Sequence, residues 1–328
     1  MDDFIFSLNA VMPIVVLVFL GYFLKRAKLF TDEFLKVANK LVFNVLLPVL
    51  LFNNVYAIES FSSIDWSFVL YAVIAVTVVF ALSVPLCAVF TKDNAKRGVL
   101  IQAIYRSNYA IIGIPLASQL FGAKGAAAAS VLSAFSIPLY NALAVLSLSV
   151  FNKNTNQKPK AGKVIVGIIK NPLIIGVFVG LIVLLIRYSF DYNGISFRLY
   201  DVGFIKTSLN FIGSTATPLA LLVLGGQFNF SAIKSLKKHI IFGTVMRTVV
   251  VPALCLSLAG IILPDLGGEC FAAFVALFGT PVAVSSAIMA REMNADYDLA
   301  GQLVVWTTIV SSFTLFITVV IFRYLGVF

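Results

Sequence analysis

The side chains in this 328-residue chain that offer recognition chemistry gather in two short stretches. The first, RSNYAIIGIP, runs from Arg106 to Pro115. It carries a guanidinium, the hydroxyl of Ser107, the amide of Asn108 and a glycine–proline pair, Gly113 and Pro115. The second, GTPVAVSS, brings Gly279, Thr280, Pro281, Ser285 and Ser286. No nucleophile–base pair, phosphate-binding loop or metal-ligand cluster accompanies them, so the expected chemistry is recognition without catalysis or cofactor. A guanidinium, an amide and backbone N–H groups freed at a helix break are the groups that hold an anion.

Both stretches lie inside long apolar runs, which makes their polarity costly. Pro115 removes a backbone donor and sets its ring against the carbonyl of Ile111, while Gly113 lets the chain bend. Freed polar groups in hydrocarbon cost several kcal/mol each unless protein, water or a ligand satisfies them. Gly279-Thr280-Pro281 reads as a helix start, with Thr280 as N-cap and Pro281 at the first helical position. Arg106 lies about nine residues into its run, near the bilayer centre at about 1.5 Å per residue. Arg247 is about as deep. Each faces a cavity or a partner, or else snorkels to the cytoplasmic surface.

The elements that position these residues follow from composition. The chain is 60% hydrophobic and 12% charged, with a mean hydropathy of +1.02. A soluble domain carries roughly 25% charged residues, so this is an all-α polytopic membrane protein. Taking about 20 residues per crossing, ten spans fall near 5–24, 37–56, 67–90, 98–121, 126–150, 164–187, 204–228, 240–263, 270–290 and 299–322. The 24 Lys and Arg against 14 Asp and Glu do not indicate nucleic acid, because the basic residues sit in short segments between spans. Lys25, Arg26, Lys96, Arg97, Lys237 and Lys238 fall on one side with the polar loop 152–163. The positive-inside rule makes that side cytoplasmic and both termini external. Cys87, Cys255 and Cys270 show no metal or disulfide spacing and read as small apolar residues.

The loop 152–163 divides the chain into two five-helix halves, 1–151 and 164–328. Pro48 and Pro218 are 170 residues apart, and Pro115 and Pro281 are 166 apart, the latter pair each two residues after a glycine. An odd number of spans per half inverts the second half against the first. Paired interrupted helices in inverted halves point to the binding site of a secondary transporter. By these boundaries every acid lies in a loop or terminus, and the only histidine, His239, sits among lysines. The positive field has no internal counter-charge, so a substrate anion is its natural partner. Asn44, four residues before Pro48, is placed to bond the carbonyl that this proline frees. Thr307, Ser311 and Thr314, with Thr308 and Ser312 beside them, read as a helix-packing face.

The segment PVAVSSAIMAREMNADYDLAGQLVVWTTIVSSFTL, residues 281–315, resembles the auxin efflux carrier family, whose plant members are the PIN proteins. FNVLLPVLLF (43–52), SNYAIIGIPLASQLFG (107–122) and TPLALLVLGG (217–226, containing Thr217 and Pro218) match its other signature stretches in order. The resemblance implies ten helices in two inverted repeats, with broken fourth and ninth helices crossing at prolines. That is the fold type of sodium/proton antiporters and bile-acid transporters. It also implies a mobile transport domain sliding on a scaffold, a homodimer in the plasma membrane, and substrate contact through the Asn at position 108. The crossing prolines carry over to Pro115 and Pro281. The chain lacks the long cytoplasmic loop of the plant members and carries Arg106. Bacterial relatives are associated with malate, malonate and similar carboxylates, so the expected substrate is a small organic anion. Coupling to H+ or Na+ stays open. The alternatives are a sodium-coupled symporter resembling bile-acid carriers, an anion channel and a membrane sensor.

Overall fold

The computed structural model describes residues 16–57, 66–151, 172–228 and 232–327, together with residues 13, 166, 169 and 170. Half of the expected first span and the whole loop 152–163 lie outside the described residues.

Among the described residues the first continuous helix covers residues 16–26 (α1). Lys28, at φ 61°, turns it into α2 (Asp32–Leu41). Thr31 caps α2 by accepting from the Phe34 N–H at 3.1 Å, and Asp32 and Glu33 complement the positive end of the helix dipole. A π turn, Val42–Leu46, carries α2 into α3 (Leu47–Tyr56). Next come α4 (Trp66–Phe90) and α5 (Asn94–Tyr105), the latter capped by Asp93. A second π turn, Tyr109–Gly113, leads into α6 (Ile114–Val150), which breaks at Phe121 and Gly122. Gly122 takes φ 56° there, a conformation that a side chain would strain.

The second part of the chain holds α7 (Pro172–Tyr192), α8 (Gly203–Gly226) and α9 (Ala232–Val245). A third π turn, Met246–Val250, joins α9 to α10 (Val251–Ile262). The remaining helices are α11 (Gly268–Gly279), α12 (Ser285–Glu292) and α13 (Tyr297–Tyr324).

Each π turn ends two residues before a proline: Pro48, Pro115 and Pro252. The carbonyls these rings would strike belong to Asn44, Ile111 and Thr248, all within the π turns. Widening the turn by one residue relieves the clash without ending the helix. Asn44 therefore has no freed carbonyl to rescue. It is exposed, and its amide donates to the Lys40 carbonyl at 2.8 Å.

Among the described residues, seven helical segments are long and apolar enough to cross a membrane: Asp32–Tyr56, Trp66–Phe90, Lys124–Val150, Pro172–Tyr192, Gly203–Gly226, Ile233–Ile262 and Tyr297–Tyr324. The expected fourth and ninth spans are each divided between short helices, α5 with the start of α6 and α11 with α12. Phe204, Phe211 and Ile261 are more than 70% exposed, and α4 and α7 present similar apolar faces. Such an exterior is stable only against lipid, and the molecule is a multi-pass membrane protein.

The helices pack in two groups. In one, α3 lies between α7 and α8, and α2 leans on α8. Gly176 of α7 meets the Pro48 carbonyl so closely that a Cβ there would lie 2.4 Å from it. Arg187 of α7 donates to the Tyr56 carbonyl at 2.9 Å and stands over the Tyr56 ring. In the other group α11 packs along α6, with α4, α5, α9, α10, α12 and α13 around them. The groups meet where α12 touches the first π turn and α8, and where α6 touches α3 and α7. Asn39 of α2 donates to Glu292 of α12 across this seam at 2.7 Å.

Candidate functional site

Two helices stop in the middle of the second group. α5 ends at Tyr105, and Arg106 takes an extended conformation (φ −91°, ψ 115°). α11 ends at Gly279, and Thr280 is likewise extended (φ −71°, ψ 155°). The second break has a local contribution, because Pro281 disfavours the α conformation at the residue before it. The two extended segments then satisfy each other. Ser107 and Val282 form an antiparallel bridge, and the Asn108 N–H donates to the Pro281 carbonyl at 2.7 Å. The Val282 N–H donates to Thr307 Oγ1 of α13 at 3.1 Å. Non-helical backbone at membrane depth persists only where protein supplies such partners.

This geometry corrects three expectations. Thr280 is no N-cap: its hydroxyl donates back to the Ala276 carbonyl at 2.8 Å, closing the end of α11. Pro281 is not helical, and α12 begins only at Ser285, behind Val284, with no side-chain cap. The crossing in the fourth span runs through Arg106, Ser107 and Asn108, while Pro115 sits beyond the following π turn and is exposed. Gly113 is buried under the Tyr109 ring, 2.5 Å from where its Cβ would stand, and faces the Ala276 carbonyl of α11. Gly279 packs against Leu315 in the same close manner.

Arg106 is 3% exposed and does not snorkel. Its Nη1 reaches Gln102 Oε1 at 2.6 Å and Met289 Sδ at 2.8 Å, and its Nη2 reaches Asn141 Oδ1 and Ser285 Oγ, both at 2.8 Å. All four partners are neutral. Arg106, Ser107, Asn108 and Ser285 line a cavity of about 60 Å³ between the two helix groups. Tyr140, Asn141, Asn54 and Thr217 also face it, with Leu47, Leu50 and Ala220 as its apolar wall. Ser107 donates to the Tyr140 hydroxyl at 3.1 Å. The amide nitrogens of Asn108 and Asn54 are buried without a hydrogen-bond partner among the described residues. Unpaired donors of this kind each cost about 1–3 kcal/mol and await an acceptor.

Arg247 is fully buried in the third π turn and lies outside this cavity. Its Nε donates to the Thr280 carbonyl at 2.9 Å, Nη2 to Leu277 at 3.0 Å, and Nη1 to Ile104 and Tyr105, both at 3.3 Å. Every acceptor belongs to the end of α5 or of α11.

Pro48 and Pro218 lie on α3 and α8, and neither lines the cavity. Ser286 is buried, with a hydroxyl that has no hydrogen-bond partner among the described residues. Ser311, Thr308 and Ser312 bond carbonyls of their own helix, as a packing face does, whereas Thr307 also holds the crossing. Sequence reasoning passed over Gln102, Tyr140, Asn141 and Asn54. Gln102 stands one turn before Arg106, and Asn141 is an amide in an apolar span, so both carried a visible signal. Cys87 and Cys255 are buried and Cys270 half-buried, and all three are thiols outside any disulfide among the described residues.

Residues 6–319 match the family described as membrane transport protein, which is the auxin efflux carrier family. The chain belongs to this family. It is 24% identical over 314 residues to an uncharacterized transporter of Methanothermobacter thermautotrophicus, covering 94% of this chain and 96% of that one. An uncharacterized transporter of Methanocaldococcus jannaschii is 26% identical, covering 78% of this chain and 80% of its own. The lysosomal cholesterol signaling protein of Mus musculus is 26% identical over 90% of this chain, which corresponds to 35% of the mouse protein. A membrane transporter of this family has no need of bond-making groups, and the site offers donors and charge instead.

Proposed function

We propose that the protein is a secondary carrier of small organic anions, with carboxylates such as malate, malonate or auxin-like acids as the substrate class. The observation that carries this reading is Arg106. A full positive charge lines the cavity at the crossing, its partners are all neutral, and the unpaired Asn108 amide stands beside it. Burying a charge without a counter-ion is costly, and a bound anion supplies the missing one. A carboxylate accepts from both groups at once, with the charge-assisted bond to the guanidinium as the stronger.

In this reading the chain has ten spans in two inverted halves, and the first span includes residues outside the description above. The group containing α5, α6, α11 and α12 carries the substrate, moving against the group of α2, α3, α7 and α8 in an elevator-like alternation. The carrier works in the plasma membrane, as a homodimer, with both termini outside. Asn39–Glu292 at the seam is a contact that such a movement breaks.

Counterflow in liposomes tests the substrate class. Purified protein should exchange a labelled dicarboxylate saturably against unlabelled carboxylates and ignore cations and neutral analogues of the same size. Binding of an amine or a sugar with no carboxylate binding removes the proposal. Orientation is tested separately with Asn156→Cys in a cysteine-free background, which should label only from the cytoplasm. Labelling from outside reverses the sides of the cavity.

A further inference from the structure

Arg247 has a role that anion binding does not use. α5 and α11 both end at the crossing, and each helix C-terminus carries about half a negative charge together with carbonyls that lack an intrahelical donor. Two such ends facing one point amount to about one negative charge in a water-free interior. The guanidinium of Arg247 meets them with one positive charge and four hydrogen bonds, to Ile104, Tyr105, Leu277 and Thr280. Among the described residues it makes no other hydrogen bond, and no acid opposes it. Half-helix C-termini and unwound carbonyls of this kind are where secondary transporters coordinate a coupling cation. Here the position is filled by a side chain held on the π turn Met246–Val250.

We propose that Arg247 is a tethered substitute for a bound cation: its charge, fixed to the ends of α5 and α11, holds the crossing assembled so that no inorganic cation is needed there. It is a positioning residue. It keeps the Arg106–Asn108 segment against Pro281 and Val282 without lining the cavity. Its consequence for transport rests on the carrier reading above, whereas the stability of the crossing does not.

The experiment separates charge from hydrogen bonding and from packing. Full-length protein purified in detergent is unfolded thermally as the parent, Arg247→Lys, Arg247→Gln and Arg247→Ala, in NaCl or in choline chloride at matched ionic strength. The parent should unfold at the same Tm in both salts. Arg247→Gln keeps donors but no charge and should fall by about 5–10 °C, whereas Arg247→Lys should fall by less than half as much. Arg247→Ala leaves a hollow lined by four carbonyls. Its Tm should rise in NaCl over choline chloride, and again with millimolar guanidinium chloride, which restores the missing ion. A purely structural side chain would show no such ion-specific rescue. If Arg247→Ala does not fold, the Lys and Gln variants and the parent's salt indifference decide. A Gln variant as stable as the Lys variant, or a parent whose Tm depends on sodium, overturns the proposal. Failure of dicarboxylate exchange with these stability results intact would strike the carrier reading alone.

Discussion

Arg106 and Arg247 are the same residue type, fully enclosed, a few residues of backbone apart at one crossing, and their surroundings are opposite. Arg247 spends its donors on four main-chain carbonyls that cannot move without unwinding a helix. Arg106 spends its donors on side chains, Gln102, Asn141, Ser285 and Met289, each of which has other rotamers to adopt. The first arrangement neutralises a charge that the fold itself creates. The second leaves a net positive charge beside a cavity with an unpaired amide. Depth in the membrane does not tell a structural arginine from a binding one. The nature of the acceptors does.

The largest expected effect follows from removing the available charge. Arg106→Gln keeps a donor of shorter reach but deletes the cation, and an anion loses the charge-assisted bonds to it. At about 1.5–3 kcal/mol for each of two such bonds, carboxylate affinity should fall by roughly 100- to 20,000-fold, read by calorimetry on the folded protein. Thermal stability should hold or rise, because a buried charge without a counter-ion no longer has to be desolvated. A variant that binds like the parent but unfolds early would make Arg106 a second Arg247, and the contrast between them would collapse.

Asn108→Ala is expected to be next. One hydrogen bond to a charged group goes, worth about 1.5–3 kcal/mol, or about 10- to 150-fold in affinity. The backbone N–H of residue 108, which bonds the Pro281 carbonyl, is untouched, so the crossing should persist. Unchanged affinity in a correctly folded variant would move the anion away from the crossing and towards Asn54.

How far these roles were legible in the sequence differs between the two arginines. Seven of the expected spans, the two interrupted helices and the Arg106–Asn108 constellation follow from hydropathy and from polar residues placed where lipid does not tolerate them. Arg247 gave the same signal but no hint of its acceptors, because carbonyls belong to every residue and only the fold decides which lack a donor. Thr280 was misread for a related reason. Thr before Pro is a helix-start pattern, yet the same pair also serves to stop one helix and extend the chain, and here non-helical backbone continues before α12 starts at Ser285. Thr307 looked like one of several small hydroxyl residues on a packing face. What sets it apart is the neighbouring Val282 N–H, which exists only once the crossing has formed.

Thr307→Val tests that distinction on the structural side of the comparison. The change is nearly isosteric and strands the Val282 N–H, at a cost of about 1–3 kcal/mol. Tm should drop by a few degrees with carboxylate affinity changed by less than about fivefold. Thr308→Val, whose hydroxyl bonds only the Val304 carbonyl of its own helix, should do less. Equal losses would mean that the hydroxyl face acts through packing alone.

The smallest effect is expected where the sequence placed as much weight as anywhere, at Pro115. Its ring is exposed, and it follows the π turn Tyr109–Gly113. Pro115→Ala returns a backbone donor near the carbonyls of the π turn, at a site already wide enough to lack the clash. Stability should change by under about 1 kcal/mol, and affinity by less than about threefold. Pro281→Ala is its counterpart. There the ring keeps Thr280 extended and presents the carbonyl that receives the Asn108 N–H. Releasing that restriction lets α11 extend past Gly279, which would pull Thr280 and Leu277 away from Arg247. Exchange should fall by several-fold while the protein still reaches the membrane. The two prolines look equivalent in sequence, each two residues after a glycine, and the crossing assigns them unequal work. If Pro115→Ala proves as damaging as Pro281→Ala, the break in the fourth span depends on its proline after all, and the pairing of Ser107 with Val282 is a consequence of the crossing and not what holds it.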